Sequence, residues 1–364
     1  MGLRLNDSDA GGHRVIESAR IKNFRCFEEV SLSGLANTNI IVGSNASGKT
    51  AMLEALFMAA TGHPMIAARL RGLRLLNEST LTLDRQGYEA VWRDFFFQFD
   101  QARIIHLTLS GSANNTRATR IYYAPEEEEN VIVPMGGKPE DSTAVVPIQF
   151  EHSSGIGEPT KIRVMFGPDG LSVRGPGPSM VISSFPAGNR ANPQEAAQRF
   201  SQLSVLGKDA FVIQSLKKLY PFITDVSLQM SGGIPALYAS VTGIREKMPV
   251  SLVSDGVYRV MTYLLAMASY RNGVLLIDEL ENGLYYGTLA EVWRVIHEFA
   301  SEYGTQLFVS THSSECLRAL LPTISGNEDK FTLIRTHKVK GSCEATVING
   351  RDFQSAIEEE MEVR

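Results

Sequence analysis

Residues 43–50 read Gly43-Ser44-Asn45-Ala46-Ser47-Gly48-Lys49-Thr50, two glycines bracketing small residues and a closing lysine-threonine pair. Glycines at that spacing let the backbone curl so that successive N–H groups point inward, a cradle for phosphate oxygens. A helix starting near Gly48 adds the positive end of its dipole. Lys49 is placed to reach β- and γ-phosphates, and the Thr50 hydroxyl is a magnesium ligand. Such an octet arises by chance in roughly one chain of this length in a hundred. Here it stands between the apolar run Asn39-Ile40-Ile41-Val42 and the helix-like Ala51-Met52-Leu53-Glu54-Ala55-Leu56-Phe57. Strand, glycine loop and helix in that order make it a nucleotide site.

Three further stretches could complete the chemistry. Val274-Leu275-Leu276-Ile277-Asp278-Glu279 is an unbroken apolar run ending in two acids, the form of a buried parallel strand that delivers carboxylates at its C-terminal edge. Downstream of a phosphate loop it reads as a Walker B strand rather than a strand with solvated acids at its end. Asp278 then holds magnesium, and Glu279 polarises the water that attacks the γ-phosphate. Between these motifs, Ser251-Leu252-Val253-Ser254-Asp255-Gly256 gives way to the helix-period run Val257–Leu265. That helix start is either an ordinary Ser/Asp cap or an anion-binding end with a free Ser254. Gln306-Leu307-Phe308-Val309-Ser310-Thr311-His312 is another strand, with a histidine at its tip. Alone, His312 is as compatible with a solvated residue as with a catalytic one.

The order of the four features resembles that of an ABC-type ATPase head, and more closely the RecF/SMC-like branch and the overcoming-lysogenization-defect (OLD) family, which carry a generic AAA label. The opening stretch Ile16-Glu17-Ser18-Ala19-Arg20-Ile21-Lys22-Asn23-Phe24-Arg25-Cys26-Phe27 looks like that branch's first strand. The resemblance implies that Asn23 and Arg25 flank ATP, that Ser254 and Gly256 form the signature, and that His312 is the switch histidine. It also implies that Glu281-Asn282-Gly283-Leu284 crosses to a partner subunit. Two departures stand out: Ser254-Asp255-Gly256 lacks the double glycine of transporter signatures, and Tyr285 stands where relatives often carry histidine. Phe97-Gln98-Phe99-Asp100 is the best candidate for a glutamine loop, and reads equally well as a packed aromatic turn.

The elements that must position these residues are legible in outline. Short β-like runs separated by Gly, Asn and Pro turns recur from about residue 102 to 185, at 104–109, 120–123, 146–150, 161–166 and 171–173. They predict an antiparallel sheet beside the nucleotide core. Residues 191–220 read as helices of a signature-bearing lobe. Leu289, Val292, Trp293, Ile296, Phe299 and Ala300 keep a helical period, as a crossover helix does before the His312 strand. Phe331–Arg335 and Ala345–Ile348 predict a closing pair of strands. The expected fold is therefore α/β, an ABC-type P-loop head with an antiparallel β subdomain and a helical lobe. We expect one discontinuous unit over 1–364, with the P-loop and β-rich lobe at 14–185, a helical insertion at 186–255, and the signature helix, Walker B strand and switch histidine at 256–364. No heptads persist for a long coiled-coil arm.

Composition agrees. Hydrophobic residues at 43% supply an ample core, and no apolar stretch reaches the ~20 residues that cross a membrane, so a cytoplasmic protein without a membrane partner is expected. Cys26, Cys316 and Cys343 are widely spaced and read as reduced thiols. A net charge of −5 argues against a generally basic nucleic-acid binder, while local patches such as Arg69, Arg71 and Arg74, or Lys217-Lys218, leave DNA contact open. The acid runs 126–129 and 358–362 read as solvated.

By the resemblance, two chains sandwich two ATP molecules with Mg2+ in a twofold homodimer, Lys49, Thr50, Asp278, Glu279 and His312 of one facing Ser254 of the other. OLD-family relatives append a TOPRIM nuclease, for which the chain beyond His312 is too short. The expected function is an ATPase subunit that controls a separately encoded nuclease or toxin effector in bacterial anti-phage defence. The alternative is a RecF-like DNA-repair ATPase.

Overall fold

The computed structural model describes residues 16–64, 92–111, 115–124, 131–134, 142–145, 147–155, 158–167, 170–174, 182–185 and 192–358. Arg69, Arg71, Arg74 and the acid runs at 126–129 and 359–362 lie outside them. In chain order the described elements are β1 (Ser18–Phe24), β2 (Phe27–Ser33), β3 (Thr38–Val42), α1 (Lys49–Thr61), β4 (Ile105–Ser110), β5 (Thr116–Tyr123), β6 (Val131–Pro134), β7 (Ser142–Val145), β8 (Ile148–Ser154), β9 (Thr160–Gly167), β10 (Gly170–Arg174) and β11 (Ile182–Phe185). There follow α2 (Pro193–Val205), α3 (Asp209–Leu219), β12 (Ile223–Ser231), β13 (Ile234–Val241), β14 (Met248–Pro249), α4 (Val250–Val253), α5 (Asp255–Ser269) and β15 (Val274–Ile277). The chain closes with α6 (Leu289–Tyr303), β16 (Gln306–Ser310), α7 (Ser314–Ile324), β17 (Phe331–Val339), β18 (Ser342–Asn349) and α8 (Gly350–Glu358).

Two sheets carry the site. The core sheet has the order β11-β15-β16-β3-β17-β18, with every neighbouring pair parallel except β17 and β18. Its central strands β15, β16 and β3 are buried at every position because both faces are covered. Val274, Leu276, Ile41 and Phe308 face one apolar core, and Leu275, Ile277, Ile40 and Val309 face the other. A seven-stranded antiparallel sheet, β10-β9-β8-β5-β4-β1-β2, lies across the first core. It contains each of the expected β runs between 104 and 173, joined by β1 and β2 from the N-terminal stretch.

Helix α1 is sandwiched between the two sheets and touches strands of both. Its sequence explains this: Lys49-Thr50-Ala51-Met52-Leu53-Glu54-Ala55-Leu56-Phe57-Met58-Ala59-Ala60-Thr61 has no polar face, and an all-round apolar helix is a buried one. The P-loop is thereby held by the interior of the molecule, not by a surface turn. The other face of the core sheet packs against α5, α6 and α7, and the six crossover-helix residues read from the period are all buried.

The stretch 186–255, expected as helical, contains α2 and α3 and then a three-stranded sheet, β12-β13-β14. Its hairpin turns on Gly232 and Gly233, both with positive φ (56° and 83°), a two-residue connection of the kind that favours glycine. The alternation in β12 is weak because the register shifts between Ile223 and Asp225 and the far end from Leu228 to Ser231 is exposed on both sides.

Candidate nucleotide site

The P-loop joins β3 to α1. Gly43 has φ 150° and Gly48 φ 103°, and each is in close quarters. A Cβ at Gly43 would lie 2.3 Å from the Thr336 carbonyl, and one at Gly48 would lie 2.8 Å from the Phe27 ring and 2.9 Å from Cys26 Sγ. The loop is braced from β17, where Thr336 Oγ1 donates to the Val42 carbonyl at 3.0 Å and sits 2.7 Å from Ser47 Oγ. Ser47 is buried, while Ser44, Asn45 and Ala46 form the exposed rim. Lys49 Nζ donates to the carbonyls of Gly43 at 2.8 Å and Ser44 at 3.1 Å. Burial pulls the ammonium below its usual range, partly offset by Glu279, Asp278 and Glu281.

β15 and β16 run parallel beside β3 and deliver the acids to the same end of the sheet. Asp278 is buried and bridges two hydroxyls: its Oδ2 accepts from Thr50 Oγ1 at 2.8 Å and its Oδ1 from Ser310 Oγ at 2.5 Å. A hydroxyl and a carboxylate oxygen in contact, next to a phosphate cradle, are the hard-oxygen pair that Mg2+ takes, so Thr50 and Asp278 fit the metal. Glu279 stands in the left-handed region at φ 53°, a conformation that costs a non-glycine residue energy and marks functional sites. Its backbone N–H donates to Ser310 Oγ at 2.9 Å, and Asn282 Nδ2 donates to its Oε2 at 2.7 Å. His312 Nδ1 lies 3.6 Å from Glu279 Oε1 and 3.1 Å from Glu281 Oε1. Lys49, Thr50, Asp278, Glu279 and His312 are thus joined by direct contacts or by shared charge.

Ser254 is exposed and is the N-cap residue of α5 by backbone geometry, yet its hydroxyl makes no capping hydrogen bond. Gly256 sits against the loop after Walker B: a Cβ there would lie 2.5 Å from the Gly283 carbonyl and 2.9 Å from Leu284 Cδ2. The start of α5 and the 281–284 loop are therefore packed as one piece within the chain.

Asn23, next to the last residue of β1, and Arg25, in the turn before β2, both have positive φ (57° and 49°). Asn23 Nδ2 donates to the Ile104 carbonyl at 2.8 Å and its Oδ1 accepts from Arg103 at 3.3 Å, on a polar crevice shared with Lys22, Glu28, Glu29, Ser342 and Glu344. Arg25 is committed to the interior: its Nε meets Glu54 Oε2 of α1 at 2.6 Å, its Nη1 meets Asp94 Oδ2 at 3.3 Å, and its guanidinium stacks 4.6 Å from the Phe95 ring centroid. It touches the P-loop helix rather than the loop's open rim. Gln98 is exposed in a 3-10 turn, Phe97–Phe99, with left-handed backbone at Gln98 and Phe99.

Four contributors were not read from the sequence as site residues: Ser310, Thr336, Asn282 and the contact of Glu281 with His312. Ser310 alone had a local signal, a hydroxyl at a strand end one register step from the Walker B acids.

Residues 182–318 match a family model described as "AAA domain, putative AbiEii toxin, Type IV TA system", and residues 18–159 match a second, described as "AAA domain". An "ATP/GTP phosphatase" of Helicobacter pylori is 23% identical over 349 residues, 84% of this chain and 87% of that one. A "DNA replication and repair protein RecF" of Lachnoclostridium phytofermentans is 47% identical over 47 residues, 13% of each chain. A solved SMC head, bound to the C-winged helix domain of ScpA, superposes with a TM-score of 0.51 over 92% of this chain and 97% of that one, at 14% identity. The chain thus carries two AAA-domain matches, which between them contain residues 43–50, 254–256 and 274–279, on a fold similar to that of a solved SMC head.

Proposed function

We propose that the chain binds and hydrolyses ATP at a site completed by a second copy, and that ATP-dependent dimerisation controls a separately encoded effector in anti-phage defence. The observation that carries the catalytic part is the Thr50–Asp278 contact at 2.8 Å beside Lys49 and Glu279, which joins the two motifs across 228 residues of sequence. The N–H groups at the start of α1 and Lys49 bind the phosphates. Thr50 and Asp278 would hold Mg2+, which would supply charge neutralisation to the bound phosphates. Glu279, fixed by Ser310 and Asn282, orients the attacking water and takes its proton. The uncommitted Ser254 hydroxyl at the exposed start of α5 supports the sandwich, in which it would meet the γ-phosphate held by the partner. The defence role is supported by the description of the family model over 182–318 and by the OLD-family resemblance. No nuclease activity is expected from the chain itself.

Purification from the native operon, identification of what copurifies, and assays on ATP, GTP, DNA and RNA test this reading. A nuclease or toxin partner whose activity follows nucleotide state supports it. The RecF local match favours a second reading, direct action on DNA. Tight binding to DNA ends or gaps by the isolated chain, with no effector partner, would decide for that alternative.

A further inference from the structure

Glu281 is a third carboxylate at the site, two residues beyond the proposed base, and has no part in the catalytic steps given above. Its Oε1 accepts the backbone N–H of His312 at 2.9 Å and lies 3.1 Å from Nδ1 of the same residue, so one oxygen grips both backbone and ring. The competing acceptor, Glu279 Oε1, is 3.6 Å from Nδ1, beyond a hydrogen bond. The Glu281 side chain is only 12% exposed, against 34% for Glu279 and 47% for His312. Its other oxygen, Oε2, is buried without a hydrogen-bond partner among the described residues. Desolvation strengthens the bond to the ring and makes Glu281 the fixed member of the pair. Glu279 and Glu281 are the carboxylates within 4 Å of the imidazole among the described residues, and Lys49 feels both of them.

A carboxylate at hydrogen-bond distance from Nδ1 requires the proton on that nitrogen, because the tautomer of a histidine is set by the bond its other nitrogen makes. We infer that Glu281 is a positioning residue which accepts the Nδ1–H of His312 and so fixes the ring at the γ-phosphate end of the site, where Nε2, unprotonated in that tautomer, must take up a proton before it can donate to a phosphate oxygen. This rests on the reading of His312 as the switch histidine. It divides the loop after Walker B: Glu279 serves the water, Asn282 holds Glu279, and Glu281 holds His312.

The test uses histidine-selective 15N labelling of the full chain, which has seven histidines, with H312A assigning the signal, alongside steady-state ATP hydrolysis. Wild type should give His312 as the Nδ1–H tautomer. E281A should lose that signature and lower kcat on the order of tenfold, with KM for ATP within about twofold, the usual scale for removing an outer partner of a functional histidine. E281Q, whose amide oxygen still accepts the Nδ1 proton, should keep the tautomer and lose less of kcat. Unchanged tautomer and kcat in E281A would overturn the inference, as would equal losses in E281A and E281Q with no change of tautomer. Wild-type turnover by H312A would instead sink the switch-histidine reading, and the tautomer measurement would still judge the Glu281 contact.

Discussion

Arg25→Met isolates the contact that ties the β1–β2 turn to the P-loop helix. In the native chain Arg25 Nε and Glu54 Oε2 meet at 2.6 Å with side chains 11% and 5% exposed, so screening by solvent is slight. Removing the guanidinium leaves the Glu54 carboxylate buried on α1, between two sheets, and such breakage costs about 3–5 kcal/mol. With an unfolding entropy of ~2.1 cal/mol/K per residue over 364 residues, roughly 0.76 kcal/mol/K, the melting temperature should fall by ~4–7 °C. Methionine keeps apolar contact with Phe95, so the loss reports the charge rather than packing. Adding Glu54→Leu should recover most of the drop, because a buried pair replaced by apolar groups of similar size is near neutral. Scanning calorimetry of the two single variants and the double would decide. A drop below about 1 °C for Arg25→Met, or a double variant no better than the single, would refute the assignment of Arg25 to the interior.

We predict that Ser254→Arg leaves ATP binding by the single chain intact and abolishes ATP-dependent dimerisation, followed by light scattering on a Glu279→Gln background; an unchanged closed dimer would remove the signature role from Ser254. Acid should destabilise the fold. Burial holds His297, His152, His63 and His106 below the usual imidazole range, so below about pH 6.5 the unfolded chain binds more protons than the folded one, and stability rises with pH through that window. Urea midpoints at pH 5 to 8 should climb and then level off. His297, stacked on Phe331 at 4.9 Å with Nδ1 unpartnered among the described residues, should contribute: His297→Phe should flatten the slope, and a midpoint independent of pH would contradict the account.

The elements carrying the chemistry were legible because each is a sharp local signal: an octet with two glycines, an apolar run closed by paired acids, a Ser-Asp-Gly helix start. The antiparallel sheet was legible from turn spacing. What escaped depends on contacts distant in sequence. Thr336 braces the P-loop from a strand nearly three hundred residues away, and nothing in Thr332–His337 distinguishes it from any half-buried strand. The ion pair of Arg25 was not legible because its motif says where the turn lies, not where the side chain goes; a buried Glu54 in an apolar helix was the hint of that partner. Helices were expected up to residue 255, and the Gly232-Gly233 hairpin went unread although its two-glycine turn is a strong short-range cue.

The central claim is that Lys49 and the Asp278–Glu279 edge form one catalytic site. It is tested most directly by measuring ATP binding and phosphate release side by side in wild type, Lys49→Ala and Glu279→Gln. The account predicts that Lys49→Ala loses binding, while Glu279→Gln binds ATP with near-native affinity and releases phosphate at least ~100-fold more slowly, the scale of a lost general base. Phosphate release by Glu279→Gln at the wild-type rate, or native ATP affinity in Lys49→Ala, would contradict it.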